Sequence, residues 1–252
     1  MSLDPASSCI IYLKERSFEM LKKDLIFRNP LRLMGYETED ILPEGGFGAV
    51  LARAGVGKTA FVVQLALNSL LRNKNVLHIS LNDPVEKVCL WYKEVFRNIA
   101  SQYKLDQIDR LWETILPLRL IMTFKVDGFS VPKLKERLAD ITEQNIFSPH
   151  MILIDNCPFE EDAAQALTEL KSMALQNKQH IWFTVRTHRH ENTDSEEIPP
   201  RIKPVSELFD AIIQLQPRDK VIYVKNLKKT PAAPKKTMLF LDPTTMLIKG
   251  KK

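Results

Sequence analysis

Ala52-Arg53-Ala54-Gly55-Val56-Gly57-Lys58-Thr59 is the stretch on which the fold turns. A short apolar run, Phe47 to Ala52, comes before it and reads as a strand. Lys58 to Leu71 follows with the spacing of a mostly buried helix, its narrow polar stripe being Gln64, Asn68 and Arg72. Between strand and helix, Gly-x-Gly-Lys-Thr has the form of a phosphate-cradling loop, with Ala52 standing where the full pattern has glycine. Successive backbone N–H groups and the helix N-terminus make a concave nest for anions. Lys58 would reach the outer phosphates of a nucleotide, and the Thr59 hydroxyl would ligate Mg²⁺. The expected nucleotide-binding residues are Arg53, Ala54, Gly55, Val56, Gly57, Lys58, Thr59 and Ala60. If position 52 needs a positive φ, its alanine costs about 1–2 kcal/mol.

Glycine use points to the same place. The chain has 8 glycines, and Gly45, Gly46, Gly48, Gly55 and Gly57 crowd into one short stretch. Elsewhere the pattern alternates strands with helices: Asn75 to Leu81, a helix from Asp83-Pro84, a helix near Leu105 to Ile115, and a strand at Leu118 to Phe124. Ser130 opens a further helix, and Met151-Ile152-Leu153-Ile154-Asp155 is an apolar strand ending in an acid. Glu160, Glu161 and Asp162 place negative charge before the next helix, and His180 to Val185 is another apolar strand. Residues 211–216, 220–227, 237–241 and 246–249 read as short strands joined by turns. Strands that are apolar throughout, alternating with helices, mean an α/β fold with a mostly parallel sheet covered on both faces.

Asp155 is the second chemical signal. An acid ending a buried strand is by itself most simply a turn or cap residue. Downstream of a Walker A loop, with two strands between, it reads instead as the Walker B acid that holds Mg²⁺.

Composition narrows the setting. The chain has 252 residues, 36 Lys+Arg against 31 Asp+Glu, and 44% apolar residues, which is ordinary for a folded domain. No apolar run approaches a membrane span, and Met1-Ser2-Leu3-Asp4-Pro5 has no basic n-region or apolar h-region. Cys9, Cys89 and Cys157 form no CxxC pair and read as reduced thiols. A cytoplasmic protein with no membrane partner is expected. Charge is uneven: Arg201 to Lys252 carries 12 Lys and Arg against 4 Asp and Glu, leaving the rest mildly acidic.

From these residues the chain resembles the RecA-like P-loop ATPases, most closely the KaiC/RadA branch. The resemblance is carried by Gly45-Gly46-Phe47-Gly48, the Lys58-Thr59 loop, Val76 to Leu81, Gly128-Phe129-Ser130, Asp155-Asn156, Ile181 to Val185 with Thr187-His188-Arg189, and Val224-Lys225-Asn226. It implies a RecA-like core over residues 41–252 behind an N-terminal helical arm, 1–40. It also implies Mg·ATP bound near a subunit interface of a homo-oligomeric ring or filament. Two positions depart from the family. The second strand there ends in glutamate, one of which activates water; here the matching residues are Asn82 and Asp83. Asn can orient a water but cannot take its proton. Asp83 could, yet it reads more readily as the N-cap of the next helix. Lys225-Asn226-Leu227 supplies the lysine of the family's trans-acting Lys-x-Arg but not the arginine. Lys228, by alternation, should point to the other side of the strand from Lys225. The catalytic candidates are therefore Asp83, Asn82 and Lys225.

Weaker signals remain. Arg186, His188, Arg189 and His190 crowd one loop, better read as solvated than as a metal site. Lys225 to Lys236 holds five lysines that suit nucleic acid phosphates, without the aromatic interleaving of a stacking surface. The expected function is a nucleotide-dependent regulatory or assembly protein with weak or absent ATPase activity. The alternative is a nucleic-acid-binding ATPase, such as a recombination or helicase-like motor, using the basic C-terminal end.

Overall fold

Strand β1 (Phe47–Ala52) is buried at every residue, because it has strand neighbours on both sides and helices on both faces. It pairs in parallel with β5 (His180–Arg186) and with β6 (Ala211–Arg218), Val50 lying opposite Thr184 and Ile213. The computed structural model describes residues 18–27, 29, 31, 34, 40–101, 105–124, 129–159, 163–187, 197–219, 221–228 and 238–250.

The other elements follow in chain order. Helical residues 18–27 form α1. After β1 come α2 (Lys58–Leu71), β2 (Val76–Ser80), α3 (Val85–Ala100), α4 (Leu105–Ile115), β3 (Arg119–Thr123) and α5 (Val131–Glu143). Then come β4 (Met151–Asp155), α6 (Ala163–Gln176), β5, a short 3₁₀ turn at Lys203–Leu208, and β6. β7 (Val221–Lys228), β8 (Leu239–Leu241) and β9 (Ile248–Gly250) complete a nine-stranded sheet. Its order is β3-β2-β4-β5-β1-β6-β7-β8-β9. The first six neighbours in that order are parallel and the last three pairings are antiparallel. The molecule is α/β, as the alternation of elements predicts.

The period-2 geometry of each strand splits the core in two. Val50 and Ala52 face the α2–α3–α4 side, together with Phe61, Leu65, Tyr92 and Phe96. Phe47, Ala49 and Leu51 face the α5–α6 side, where Phe47, Phe159, Phe183 and Phe209 pack as tilted and edge-on rings. On the first side Leu21 and Leu25 of α1 are buried in the same cluster. The described part of the N-terminal segment is therefore docked on the domain. Among the described residues no helix is long and apolar enough to cross a membrane.

Parallel strands deliver their C-terminal ends to one edge of the sheet. β1 connects toward β2 on one side, while β6 lies on the other, so the chain parts at the end of β1 and leaves a crevice there.

Candidate phosphate-binding cleft

The loop from Ala52 to Thr59 lines that crevice. Ala52 is still strand, in register with Arg186, and it is not among the residues of positive φ. The missing glycine at position 52 therefore carries no left-handed penalty. Left-handed backbone falls instead on Gly55 (φ 77°) and Gly57 (φ 104°), where glycine is present. Gly57 is also the N-cap of α2, with no side-chain cap and no acidic residue in the helix's first turn. The first N–H groups of α2 thus keep their capacity for an anion.

Lys58 is 6% exposed, and its ammonium donates to the backbone carbonyls of Ala52 (3.2 Å) and Arg53 (3.1 Å). Burial lowers its pKa; Asp155 opposes that shift and Arg186 adds to it. Thr59 Oγ1 donates to Asp155 Oδ2 at 2.8 Å, and Thr184 donates to the other oxygen of the same carboxylate. A hydroxyl and a carboxylate side by side, with no sulfur or free amine between them, are the oxygen donors a hard divalent cation takes. Behind them His78 is fully buried, with Nε2 4.0 Å from Asp155 Oδ2 and Nδ1 3.2 Å from the Tyr92 hydroxyl. Burial depresses the His78 pKa to about 4, against the pull of Asp155. At neutral pH it backs the carboxylate as a neutral ring. Arg119 stacks 4.5 Å from the centre of the Tyr92 ring, closing this buried array on the α3 side.

The cleft measures about 450 Å³, within the ordinary range for a small-ligand site. Its walls bring together most of the expected residues: Ala54, Gly55, Gly57, Lys58 and Thr59 from the loop, with Asn82 and Asp83 from the end of β2. Arg186 and Arg201 add positive charge, and Trp91 and Met246 an apolar margin. Val56 and Ala60 lie in the core, so their side chains cannot touch a ligand there; only their backbone groups are available. The Arg53 side chain does not line the cleft, although its carbonyl holds Lys58.

Two expectations need correction. Asp83 is not the N-cap of α3: Pro84 holds that position and no side-chain cap bond is made. Instead Asp83 Oδ1 pairs with Lys87 Nζ at 2.8 Å, while its backbone N–H and carbonyl exchange hydrogen bonds with the Ser80 hydroxyl. Proline at 84 explains the shift, since its extended ψ of 160° places it just outside the helix. The second correction concerns Lys228. The β6–β7 ladder slips between Ile212 and Ile213, so Lys225 faces Gln214 and Lys228 faces Ile212. Positions 212 and 214 share a face, and the bulge therefore brings Lys228 to the same side as Lys225. Lys228 is engaged there by the Ser206 carbonyl (3.1 Å) and by Glu207 (3.7 Å). Neither lysine lines the cleft of its own chain.

His188, Arg189 and His190, the acids 160–162, Cys9, and Lys229, Lys235 and Lys236 lie outside the described residues. Cys157 lines the cleft, but burial pushes its thiol up to about 12, which leaves it inert. Sequence reasoning passed over Thr184, His78 and Arg201. The first two carried a signal: each is a polar residue inside an otherwise apolar strand, a placement that requires a partner. Comparisons with protein-family models and with curated proteins find no match for this chain.

Proposed function

We propose that this cleft binds Mg·ATP and that the chain is a RecA-like, KaiC-like P-loop protein with weak or absent hydrolysis. The observation that carries the proposal is the convergence of Lys58, Thr59 and Asp155 at the mouth of one helix, beside two glycines of left-handed backbone. The loop and the start of α2 offer N–H groups to the phosphates, and Lys58 supplies a buried cation. Thr59 and Asp155 would hold Mg²⁺, which neutralises charge on the outer phosphates when bound. Thr184 holds the Asp155 carboxylate in place from behind, with the neutral His78 ring 4.0 Å away. Arg186 and Arg201 raise the positive potential of the walls.

Hydrolysis needs a positioned water and stabilisation of the charge that develops as the γ-phosphoryl group leaves. Asn82 can orient a water without accepting its proton. Asp83 is the remaining carboxylate, and it is tied to Lys87. Lys225 fits a role toward a neighbouring copy, since it stands away from its own cleft. Persistence of bound ATP suits a protein whose assembly or partner contacts follow nucleotide occupancy. The nucleic-acid-motor reading retains only its charge argument, and of the lysines between 225 and 236 the described Lys228 is engaged internally.

Light scattering on the purified chain, with and without Mg·ATP, alongside phosphate release tests the proposal. Nucleotide-dependent assembly with turnover far below the usual enzyme median of about 10 s⁻¹ supports it. Absence of any nucleotide effect on size, binding or stability sinks it.

A further inference from the structure

The opposite edge of the sheet holds a second cluster of chemistry. β4 and β5 are neighbours, and their N-terminal ends place His150 and His180 side by side, with ring centres 4.6 Å apart and planes at 69°. Asp40, from the segment before β1, reaches both. Its Oδ2 lies 3.1 Å from His150 Nε2 and 3.3 Å from His180 Nε2. The three ligand-type atoms lie within 4.8 Å of one another.

The hydrogen bonding of His180 fixes which of its nitrogens faces Asp40. Its Nδ1 is 2.9 Å from the Pro43 carbonyl, which can only accept, so Nδ1 carries a proton. A neutral ring then turns its Nε2 lone pair toward a carboxylate oxygen 3.3 Å away. Two acceptors face each other across that gap, and a positive species between them resolves the conflict: a proton on Nε2, or a metal ion. An Nδ1–H bonded to a backbone carbonyl is also the arrangement that fixes a metal-ligating imidazole.

We propose that Asp40, His150 and His180 form a zinc-type divalent metal site, independent of the phosphate-binding cleft. Tetrahedral ligands at about 2.0 Å from zinc lie about 3.3 Å from one another. The two Asp40–histidine separations, 3.1 and 3.3 Å, match that edge before any ion is added. Two imidazoles and a carboxylate favour zinc over magnesium or calcium, which take oxygen ligands. A cavity of about 10 Å³, the size of one water, lies beside Asp40 and His180 with Asn68 and Ser69 in its wall. Lys74 is the built-in competitor: its ammonium lies 2.6 Å from the same Asp40 oxygen, on a side chain 35% exposed and able to withdraw. Metal binding replaces one cation with another and pins the segment before β1 to the starts of β4 and β5.

Titration calorimetry of the chelator-stripped full chain with Zn²⁺ alone, in the absence of nucleotide, tests the site. Cobalt(II) absorption reports the coordination geometry. One Zn²⁺ per chain and a four-coordinate cobalt spectrum are expected. His150→Gln, at the most exposed ligand, should weaken affinity by more than the roughly 10–100-fold typical of outer-shell changes. Lys74→Met, which removes the competing cation, should tighten it. His188→Ala/His190→Ala should leave it unchanged, separating this site from the His-x-His loop. Absence of binding in both the wild type and Lys74→Met overturns the proposal and leaves His180 proton-bridged to Asp40. Binding that survives His150→Gln but is lost in the His188/His190 variant or in Asp155→Asn overturns it equally.

Discussion

The Thr59 hydroxyl donates to the Asp155 carboxylate across 2.8 Å, joining the first turn of α2 to the end of β4, 96 residues further along the chain. Thr184 holds the other oxygen of that carboxylate from β5, the strand between β4 and β1. The two polar ends of the proposed cation site are thus set by the sheet order itself. Asp155→Asn keeps the side chain's size and removes its charge. We expect ATP affinity of this variant to be nearly the same in Mg²⁺ as in EDTA, whereas wild type binds more tightly with Mg²⁺. Titrations under both conditions measure the difference, and a variant that keeps the full magnesium effect would remove Asp155 from the site.

Loop geometry separates the two glycines. A Cβ on Gly57 would meet Leu241 Cδ2 at 2.9 Å and the Met246 sulfur at 3.3 Å, on backbone of φ 104°. One on Gly55 would meet nothing within 4 Å, leaving only the left-handed cost at φ 77°. Gly57→Ala should therefore destabilise the fold by more than the roughly 1–2 kcal/mol of a left-handed alanine, and Gly55→Ala by about that amount. Urea unfolding of the two variants decides this, and equal losses would mean the β8–β9 end does not press on the loop.

Asp83 offers a test of hydrolysis. Its only described side-chain partner is Lys87, a pair at i,i+4 whose loss costs about 0.3–0.5 kcal/mol. Asp83→Asn should hence fold with nearly wild-type stability, unlike the larger loss expected of a helix cap. Wild-type turnover should be slow, and Asn82→Glu should raise it where the water can be positioned. Brisk wild-type phosphate release that collapses in Asp83→Asn would make Asp83 the general base.

Cys157 should resist iodoacetamide in the native protein at pH 8, since a thiol pushed up to about 12 stays protonated there. Unfolding in urea should restore ordinary reactivity. Residue-resolved mass spectrometry distinguishes it from Cys89, which is only partly buried. Rapid native labelling of Cys157 would show that the cleft opens further than its described shape.

Much of the fold was legible because its signals are local. β1 matches its sequence bounds of Phe47 to Ala52, and Ser130 caps α5 by accepting from Lys133 N–H, as a residue before Val131-Pro132 should. The position of the loop was legible for the same reason: Gly-x-Gly-Lys-Thr is contiguous, and Gly55 and Gly57 carry the left-handed backbone between β1 and α2. What escaped depends on distant register. The slip between Ile212 and Ile213 has no signature in Lys225 to Lys228, yet it reverses which way Lys228 faces. Asp40 lies 110 residues before His150, and the two histidines meet only because β4 and β5 are adjacent and start together. Asp83-Pro84 carried two compatible readings, and the helix start that formed uses the proline rather than the acid.

Lys58→Ala tests the central claim most directly. The wild-type ammonium is buried against two backbone carbonyls and faces the cleft, so its contribution should appear in binding rather than in folding. A charge-assisted bond to phosphate is worth about 1.5–3 kcal/mol, or roughly one to two orders of magnitude in affinity. Calorimetry with Mg·ATP should show that loss in a variant that unfolds at close to the wild-type urea concentration. Equal affinity in the two proteins, or no measurable binding to wild type, would contradict the assignment of this cleft to ATP.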